Sequence, residues 1–171
     1  ERFNHNATGP LRGMKGDAWE GGHRMPFVVR WPGHIRAGGT CHQIICHTDL
    51  IATLAAILQF PLPEGAGEDS ISFLPLLKDP QRENPTRTTL VTQSSGRVLT
   101  LRDGNWKLIP QLGSGGFSQP RKEKPVANGP RGQLYRLDLD VAETTNLWLD
   151  EEKQVMQMTR LLEQIKAGSN P

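Results

Sequence analysis

Residues 11–33, LRGMKGDAWEGGHRMPFVVRWPG, restrict the fold of this chain more than any other stretch. Glycines 13, 16, 21 and 22 allow the polar first half to turn sharply and to bring its backbone close to a ligand. Residues 27–31 are mostly apolar and precede Pro32-Gly33, which predicts a short strand buried on both faces. Polar loops at the ends of buried strands commonly carry the chemistry of α/β enzymes. We call residues 11–24 the lysine loop.

The string KGxxWEGGHRxPFxVRWPG, residues 15–33, resembles the segment that follows the metal-binding Asp-Asn pair in the formylglycine-dependent sulfatases. In that family a lysine at this place contacts the sulfate ester, so the resemblance implies a catalytic role for Lys15. A compact ammonium group suits this role because it can neutralise charge on the sulfuryl group and on the leaving oxygen.

Three histidine or arginine residues near this lysine are candidate substrate-binding residues. His23 and Arg24 follow Lys15 in the loop and are expected in the pocket wall, although Arg24 could instead pair with Glu20 in a purely structural ion pair. His5 precedes the loop and could face the cleft, with a solvated histidine as the alternative. No His/Cys grouping has the spacing of a zinc site, and we predict no metal ligand in this chain.

The nucleophile of the family is a Cys or Ser in the motif C/S-x-P-x-R, which is converted to formylglycine. Neither Cys41 nor Cys46 begins this motif, because Gln43 and Thr48 stand where the proline belongs, and no serine begins it. We therefore interpret the chain as the C-terminal part of a sulfatase that is inactive by itself. The resemblance implies calcium and formylglycine, both held by a missing N-terminal part. The two cysteines are predicted to be buried thiols, with a disulfide between them as the alternative.

The first part of the chain, residues 1–80, is predicted to be the C-terminal part of the sulfatase catalytic domain. Ile44 and Ile45 indicate a short strand within residues 41–46, and the apolar pattern of residues 49–58 predicts a helix packed on a sheet, with Thr48 as its cap. A loop with one helical turn should follow in residues 60–79. The polar, proline-containing residues 79–87 predict a domain boundary.

The second part, residues 87–171, is predicted to be a small α+β subdomain. Four strands are expected, at residues 88–92, 97–102, 106–109 and 133–137, and Asp103-Gly104 favours a hairpin between the middle two. Alternation in the third strand should turn Trp106 and Leu108 to the core and Lys107 to solvent. Residues 113–132 should form a flexible loop.

A C-terminal helix over residues 151–166, capped by Asp150, should cover one face of this sheet, because its apolar residues recur at helical spacing. The predicted fold class is therefore α/β, namely the end of a large sulfatase-type α/β domain followed by a small antiparallel sheet packed against a C-terminal helix. A chain of 171 residues is long enough for this arrangement.

Charge and hydropathy say what the chain should contact. The 20 basic and 18 acidic residues form no nucleic-acid stripe, and no apolar run is long enough for a bilayer, so neither nucleic acid nor membrane is expected as a partner. The expected partners are a sulfate-ester substrate and the missing N-terminal part. Self-association is also expected, because an unpaired apolar strand edge invites pairing. A periplasmic or extracellular location is implied by the family alone.

Two other functions stay open from the sequence. A phosphate-ester or phosphonate hydrolase of the same alkaline phosphatase superfamily would keep the sheet, but matches WEGGHR less well. A non-catalytic, sulfatase-like binding module would need neither nucleophile nor metal.

Overall fold

The structure is a computed structural model and describes residues 6–168. Four helices and four strands are present in the described residues. The helices are α1 (Glu20–His23), α2 (Asp49–Leu58), α3 (Leu74–Lys78) and α4 (Glu152–Lys166), and the strands are β1 (Thr89–Gln93), β2 (Leu99–Asp103), β3 (Trp106–Ile109) and β4 (Gln133–Arg136). No helix in this part of the chain is both long and apolar enough to cross a bilayer.

The four strands form one sheet in the order β1-β2-β3-β4, and β3 is antiparallel to both β2 and β4. Leu108 at its centre lies opposite Leu101 on one side and Leu134 on the other. Gly104 adopts a φ of +55° in the turn between β2 and β3, a conformation that glycine reaches without strain. The predicted hairpin and all four predicted strands are confirmed to within two residues at each end.

Helix α4 covers one face of the sheet. Val155, Met158 and Leu162 recur on one side of the helix and pack against the leucines at the centre of β2, β3 and β4. Full burial of a side chain of this size contributes roughly 1.5–3 kcal/mol, so this cluster supplies much of the stability of the small sheet. The fold class and the amphipathic helix are thus confirmed. The Asp150 cap is wrong, because Glu151 precedes the first helical turn and makes no side-chain cap.

The opposite face of the sheet is covered by the lysine loop. Ala18 and Trp19 from the loop form a second buried cluster with Ile109, Tyr135 and other sheet residues. Lys107 lies on this face, two residues before Ile109, and only 2% of it is exposed. The prediction that Lys107 faces solvent is therefore wrong, because an element distant in sequence covers the face that the strand pattern leaves polar.

Residues 27–90 contain α2 and α3. The predicted helix at residues 49–58 and the helical turn in the following loop are both confirmed. Thr48 makes no side-chain cap, so that part of the prediction is wrong. The buried carboxylate of Asp49 instead accepts the backbone N–H groups of Cys46 and Ile71 and forms an ion pair with Arg87.

Two predicted strands of this unit, at residues 27–31 and 41–46, are absent from the described structure. Val28 is 91% exposed, although Phe27 makes an edge-on contact with Phe73. A strand is completed only by hydrogen bonds to a neighbour, and these residues have no strand neighbour in the described part. Cys41 and Cys46 are free thiols, as predicted, but Cys41 is exposed and Cys46 only half-buried.

Contacts divide the chain differently from the predicted boundary. Phe27–Leu90 form one compact unit, and residues up to Pro26 join Val91–Pro171 in the other. The lysine loop belongs to the second unit because it covers the free face of the small sheet. The assignment of residues 1–80 to a catalytic domain concerns a longer protein and stays a prediction.

Limited proteolysis tests the relative stability of these segments. We expect trypsin to cleave after the exposed Arg121 or Lys122, or within residues 79–87, before it cleaves after Arg102 or Lys107, because cleavage in the hairpin requires opening of the β2–β3 ladder. Mass spectrometry of early fragments gives the order. First cleavage at Lys107 would contradict this assignment of the stable core.

Candidate functional site

Lys15 lies at the tip of a tight turn. The backbone N–H of Asp17 donates to the carbonyl of Met14 at 3.0 Å, and the Met14 N–H donates back to the Asp17 carboxylate at 2.9 Å. Gly16 adopts a φ of +85°, which a residue with a side chain would reach only with strain. Lys15 itself is exposed, and its ammonium group has no hydrogen bond or ion pair among the described residues.

The Asp17 carboxylate joins this turn to residues 114–118. It is fully buried and accepts the backbone N–H groups of Phe117, at 2.7 Å, and Ser118, at 3.0 Å, together with the Ser118 hydroxyl at 2.5 Å. Burial alone would raise the pKa of Asp17, but these donors and the Met14 N–H outweigh burial and hold the pKa below its ordinary value. The prediction of a flexible loop is thus wrong for residues 113–118, whose glycines at 113, 115 and 116 are buried.

A third segment, the turn at residues 94–97, holds the other side of the lysine turn. The backbone N–H and the hydroxyl of Ser95 both donate to the Gly16 carbonyl, at 2.8 and 3.0 Å. The Gly96 N–H donates to the Gly115 carbonyl at 2.8 Å, so the turn is also tied to residues 114–118. The backbone on both sides of Lys15 is therefore fixed, while its side chain contacts no partner in residues 6–168.

The far end of the lysine loop is anchored by a buried lysine. The ammonium nitrogen of Lys107 lies 2.9 Å from Glu20 Oε1, in helix α1, and 3.1 Å from Glu143 Oε1. The other oxygen of Glu143 accepts the Glu20 backbone N–H at 2.6 Å. Arg102 lies 3.7 Å from the second Glu20 oxygen. We call Lys107, Glu20 and Glu143 the buried triad.

The two carboxylates of the buried triad respond differently to the same lysine. Burial would raise the pKa of Glu20, but Lys107 and Arg102 hold it below its ordinary value. Burial raises the pKa of Glu143, and Lys107 offsets that effect only in part. Glu20 is therefore the firmly ionised partner of Lys107.

Arg12 forms a second link near the start of the loop. Its guanidinium donates to the Tyr135 hydroxyl at 3.0 Å and to the Glu143 carbonyl at 2.7 Å, and lies 3.9 Å from the Trp19 ring centroid. Gln133 accepts from both aromatic residues, through the Trp19 indole N–H at 2.9 Å and the Tyr135 hydroxyl at 2.7 Å. Burial raises the pKa of Tyr135 to about 12, so it stays a neutral hydrogen-bonding group.

Three of the four predicted site residues, Lys15, His23 and Arg24, lie in the lysine loop and are described by the structure. His23 ends helix α1 and is half-buried, and its buried Nε2 atom has no hydrogen-bond partner among the described residues. Burial and the nearby charge of Lys107 lower the pKa of His23, so its imidazole is neutral near pH 7. Arg24 is exposed and forms no ion pair with Glu20 in the described part of the chain. His5 lies outside the described residues.

Residues 6–168 contain no group of three or more His, Cys, Asp or Glu side chains placed to hold a metal ion. Calcium in a protein takes six to eight oxygen ligands, which this part of the chain does not assemble. The residues described here do not fit a calcium site, and the sequence has no C/S-x-P-x-R motif for formylglycine.

Sequence reasoning missed the residues that fix the site, namely Asp17, Lys107 and Glu143. The position of Lys107 between Trp106 and the apolar Leu108 and Ile109 was a usable signal, because two adjacent apolar residues indicate a strand with both faces covered. No sequence signal pairs it with Glu20 and Glu143, which are 87 residues before it and 36 residues after it.

Comparisons with known proteins agree with this architecture. The model of the sulfatase family matches residues 3–60. The N-acetylgalactosamine-6-O-sulfatase of Bacteroides thetaiotaomicron is 33% identical over 167 residues, which are 97% of this chain and 32% of that protein. Human arylsulfatase A is 44% identical over 70 residues, which are 41% of this chain and 13% of that protein.

Solved structures give the same result. One from work on the metabolism of multiple glycosaminoglycans by Bacteroides thetaiotaomicron superposes with a TM-score of 0.80 at 32% identity, over 96% of this chain and 33% of that one. A sulfatase from Pseudoalteromonas sp. has a TM-score of 0.73 at 23% identity, over 92% of this chain and 32% of that one, and shows the fold alone. The chain belongs to the sulfatase family. It spans about a third of the length of the relatives that match it over nearly its whole length.

Replacement of the buried lysine tests the triad. Lys107→Ala should lower the free energy of unfolding by about 3–5 kcal/mol, because it leaves buried carboxylates without their counter-charge. Lys166→Ala is the matched control, since it removes a Lys–Glu pair that is largely solvent-exposed, and should change stability by less than about 1 kcal/mol. Denaturant titration measures both variants, and equal effects would show that the triad does not anchor the loop.

The depressed pKa of His23 predicts a pH dependence of stability. The unfolded histidine takes up a proton near its ordinary pKa of 6.5 while the folded one resists, so stability present above pH 6.5 should be lost as the pH falls towards the lower folded value. The charges of Asp17, Glu20 and Lys107 also act on His23, and all three residues are unchanged in the control variant, His23→Gln. His23→Gln should lose less stability than the unchanged chain between pH 7 and pH 5. Parallel curves would contradict a neutral, buried His23.

Proposed function

We propose that this chain is the C-terminal part of a formylglycine-dependent sulfatase and that Lys15 contacts the sulfate group of the substrate. The supporting observation is the contrast at Lys15 between a backbone held by its own turn and by two other segments, and an exposed ammonium group without a partner among the described residues. A preorganised cation of this kind stabilises charge on sulfuryl and leaving-group oxygens without first having to break a protein contact.

Three further residues belong to the proposed substrate site. His23 would act as a neutral hydrogen-bonding group, because its buried Nε2 has no partner among the described residues and its lowered pKa keeps it uncharged near pH 7. Arg24 would add a second exposed cation on the same loop. His5 is proposed on sequence alone.

The remaining chemistry needs residues beyond those described here. In a sulfatase, calcium and formylglycine supply the Lewis acid and the nucleophile. The present residues fit neither group, so the 171-residue chain by itself should hydrolyse no sulfate ester. The N-terminal part of the catalytic domain is therefore a required partner in this proposal.

Carbohydrate sulfates are the proposed substrate class. The relative that matches nearly the whole chain carries a name that specifies a sulfated amino sugar, whereas the arylsulfatase match covers less than half of it. Phosphate esters and phosphonates remain the alternative substrates. A non-catalytic binding module is the alternative from another class. A periplasmic or extracellular location, and self-association of the isolated chain, are proposed with the same status.

Replacement of Lys15 in the complete enzyme tests the proposal. Lys15→Ala should lower kcat for a sulfated carbohydrate by on the order of a hundredfold or more, as loss of a charge-stabilising donor typically does. Folding should stay nearly intact, because the side chain contributes nothing to the core. Lys124→Ala, at another exposed lysine of the same unit, is the control and should leave kcat unchanged.

The substrate panel decides among the alternatives. Sulfated monosaccharides, an aryl sulfate, a phosphate monoester and a phosphonate should be assayed side by side. Faster turnover of the phosphorus substrates would favour the related hydrolase. Binding without turnover of any ester by the complete protein would favour the binding module, and full activity of Lys15→Ala would remove Lys15 from the site.

A further inference from the structure

We infer that Asp17 is a positioning residue that holds Lys15 in its working place by joining the lysine turn to residues 114–118. The inference rests on the proposed role of Lys15 in contacting the sulfate group. It adds a residue that touches no substrate itself and acts through the backbone of the lysine.

Asp17 can hold Lys15 in place because its carboxylate accepts hydrogen bonds from two segments, the lysine turn and residues 114–118. Its Oδ2 atom accepts hydrogen bonds from the backbone N–H of Met14, the residue just before Lys15, and from the Ser118 hydroxyl. Its Oδ1 atom accepts the backbone N–H groups of Phe117 and Ser118. One buried carboxylate thus closes the turn that carries the lysine and also fixes that turn to a segment about a hundred residues later.

Only an ionised carboxylate fits this set of donors. All four groups around Asp17 donate, and a carboxylate accepts at both oxygens, whereas an amide would present an NH₂ group to part of the set. Close packing reinforces the joint, because a Cβ atom on Gly116 would lie 2.5 Å from Asp17 Oδ1 and one on Gly16 would lie 2.8 Å from the Phe117 ring. The two segments therefore meet without room for rearrangement.

Asp140 provides a control in the same unit, because its carboxylate also accepts hydrogen bonds from backbone N–H groups and a hydroxyl. Asp140 accepts the backbone N–H groups of Thr144 and Thr145, both at 2.8 Å, and the Thr144 hydroxyl at 3.0 Å. None of these donors belongs to the lysine loop. Asp140→Asn therefore removes a similar kind of interaction without touching the turn of Lys15.

The test is a double-mutant cycle between Asp17 and Lys15 in the complete enzyme. Asp17→Asn should lower kcat by on the order of tenfold to a hundredfold, as small misplacement of a catalytic group does, with KM changed by less than about threefold. In the Lys15→Ala background the same substitution should lower kcat by less than about twofold, because its effect passes through the lysine. Asp140→Asn should leave kcat within about twofold of the unchanged enzyme.

Each outcome separates this inference from the proposed function. If Lys15→Ala lowers kcat but keeps measurable activity, while Asp17→Asn is fully active or lowers kcat equally in both backgrounds, Asp17 is not a positioning residue and the role of Lys15 stands. If Lys15→Ala is fully active, the proposed function fails first.

A measurement on the 171-residue chain covers the case in which Asp17→Asn folds poorly in the enzyme. Ser118→Ala removes one donor to Asp17 and should speed amide hydrogen exchange at Met14 and Phe117, whereas Asp140→Asn should not. In the enzyme Ser118→Ala should lower kcat in the same direction as Asp17→Asn, but less. Unchanged exchange and unchanged kcat in Ser118→Ala would overturn the inference.

Discussion

The buried ammonium group of Lys107 is the interaction on which the rest of the sheet unit depends. A lysine that is 2% exposed is stable in the charged form only where carboxylates and hydrogen bonds replace water, and here Glu20 and Glu143 supply them. Such a cluster adds little net stability compared with an apolar core, because desolvation offsets the attraction between the charges. Its contribution is to position helix α1, since the Glu20 carboxylate accepts from Lys107 on β3 and the Glu20 backbone N–H donates to Glu143.

That placement makes the lysine loop a layer of the small fold. Helix α4 buries one face of the sheet with leucine, valine and methionine, whereas the loop buries the other face with Trp19, Arg12 and Glu20. The two faces therefore differ in chemistry. The α4 face is held by apolar packing, while the loop face is largely polar and fixes position through directional bonds. If Lys15 has its proposed role, the loop that presents its ammonium group benefits from the second kind of contact.

The match to the sulfatase family model ends at residue 60, but the groups that hold Lys15 lie largely beyond it. Residues 94–97, residues 114–118, Lys107 and Glu143 all contact the lysine loop from the second half of the chain. The small sheet and the loop therefore form one physical unit, although they are separated in sequence by residues 27–90. This arrangement lets segments remote in sequence determine the position of Lys15.

The sequence by itself determined the elements whose signals are local. Turn chemistry at Asp103-Gly104, alternation along β2 and β3, and helical spacing in α2 and α4 each arise from neighbouring residues. The family resemblance predicts Lys15 and His23 as site residues, and that assignment stays a prediction. The tertiary structure alone decided the rest. Residues 27–31 need a strand neighbour that the described chain lacks, and Lys107 turned inward because the lysine loop covers its face. Asp17 and Glu143 accept hydrogen bonds from groups a hundred or more residues away in sequence, and bonds across such separations depend on how the layers pack, which no local pattern encodes.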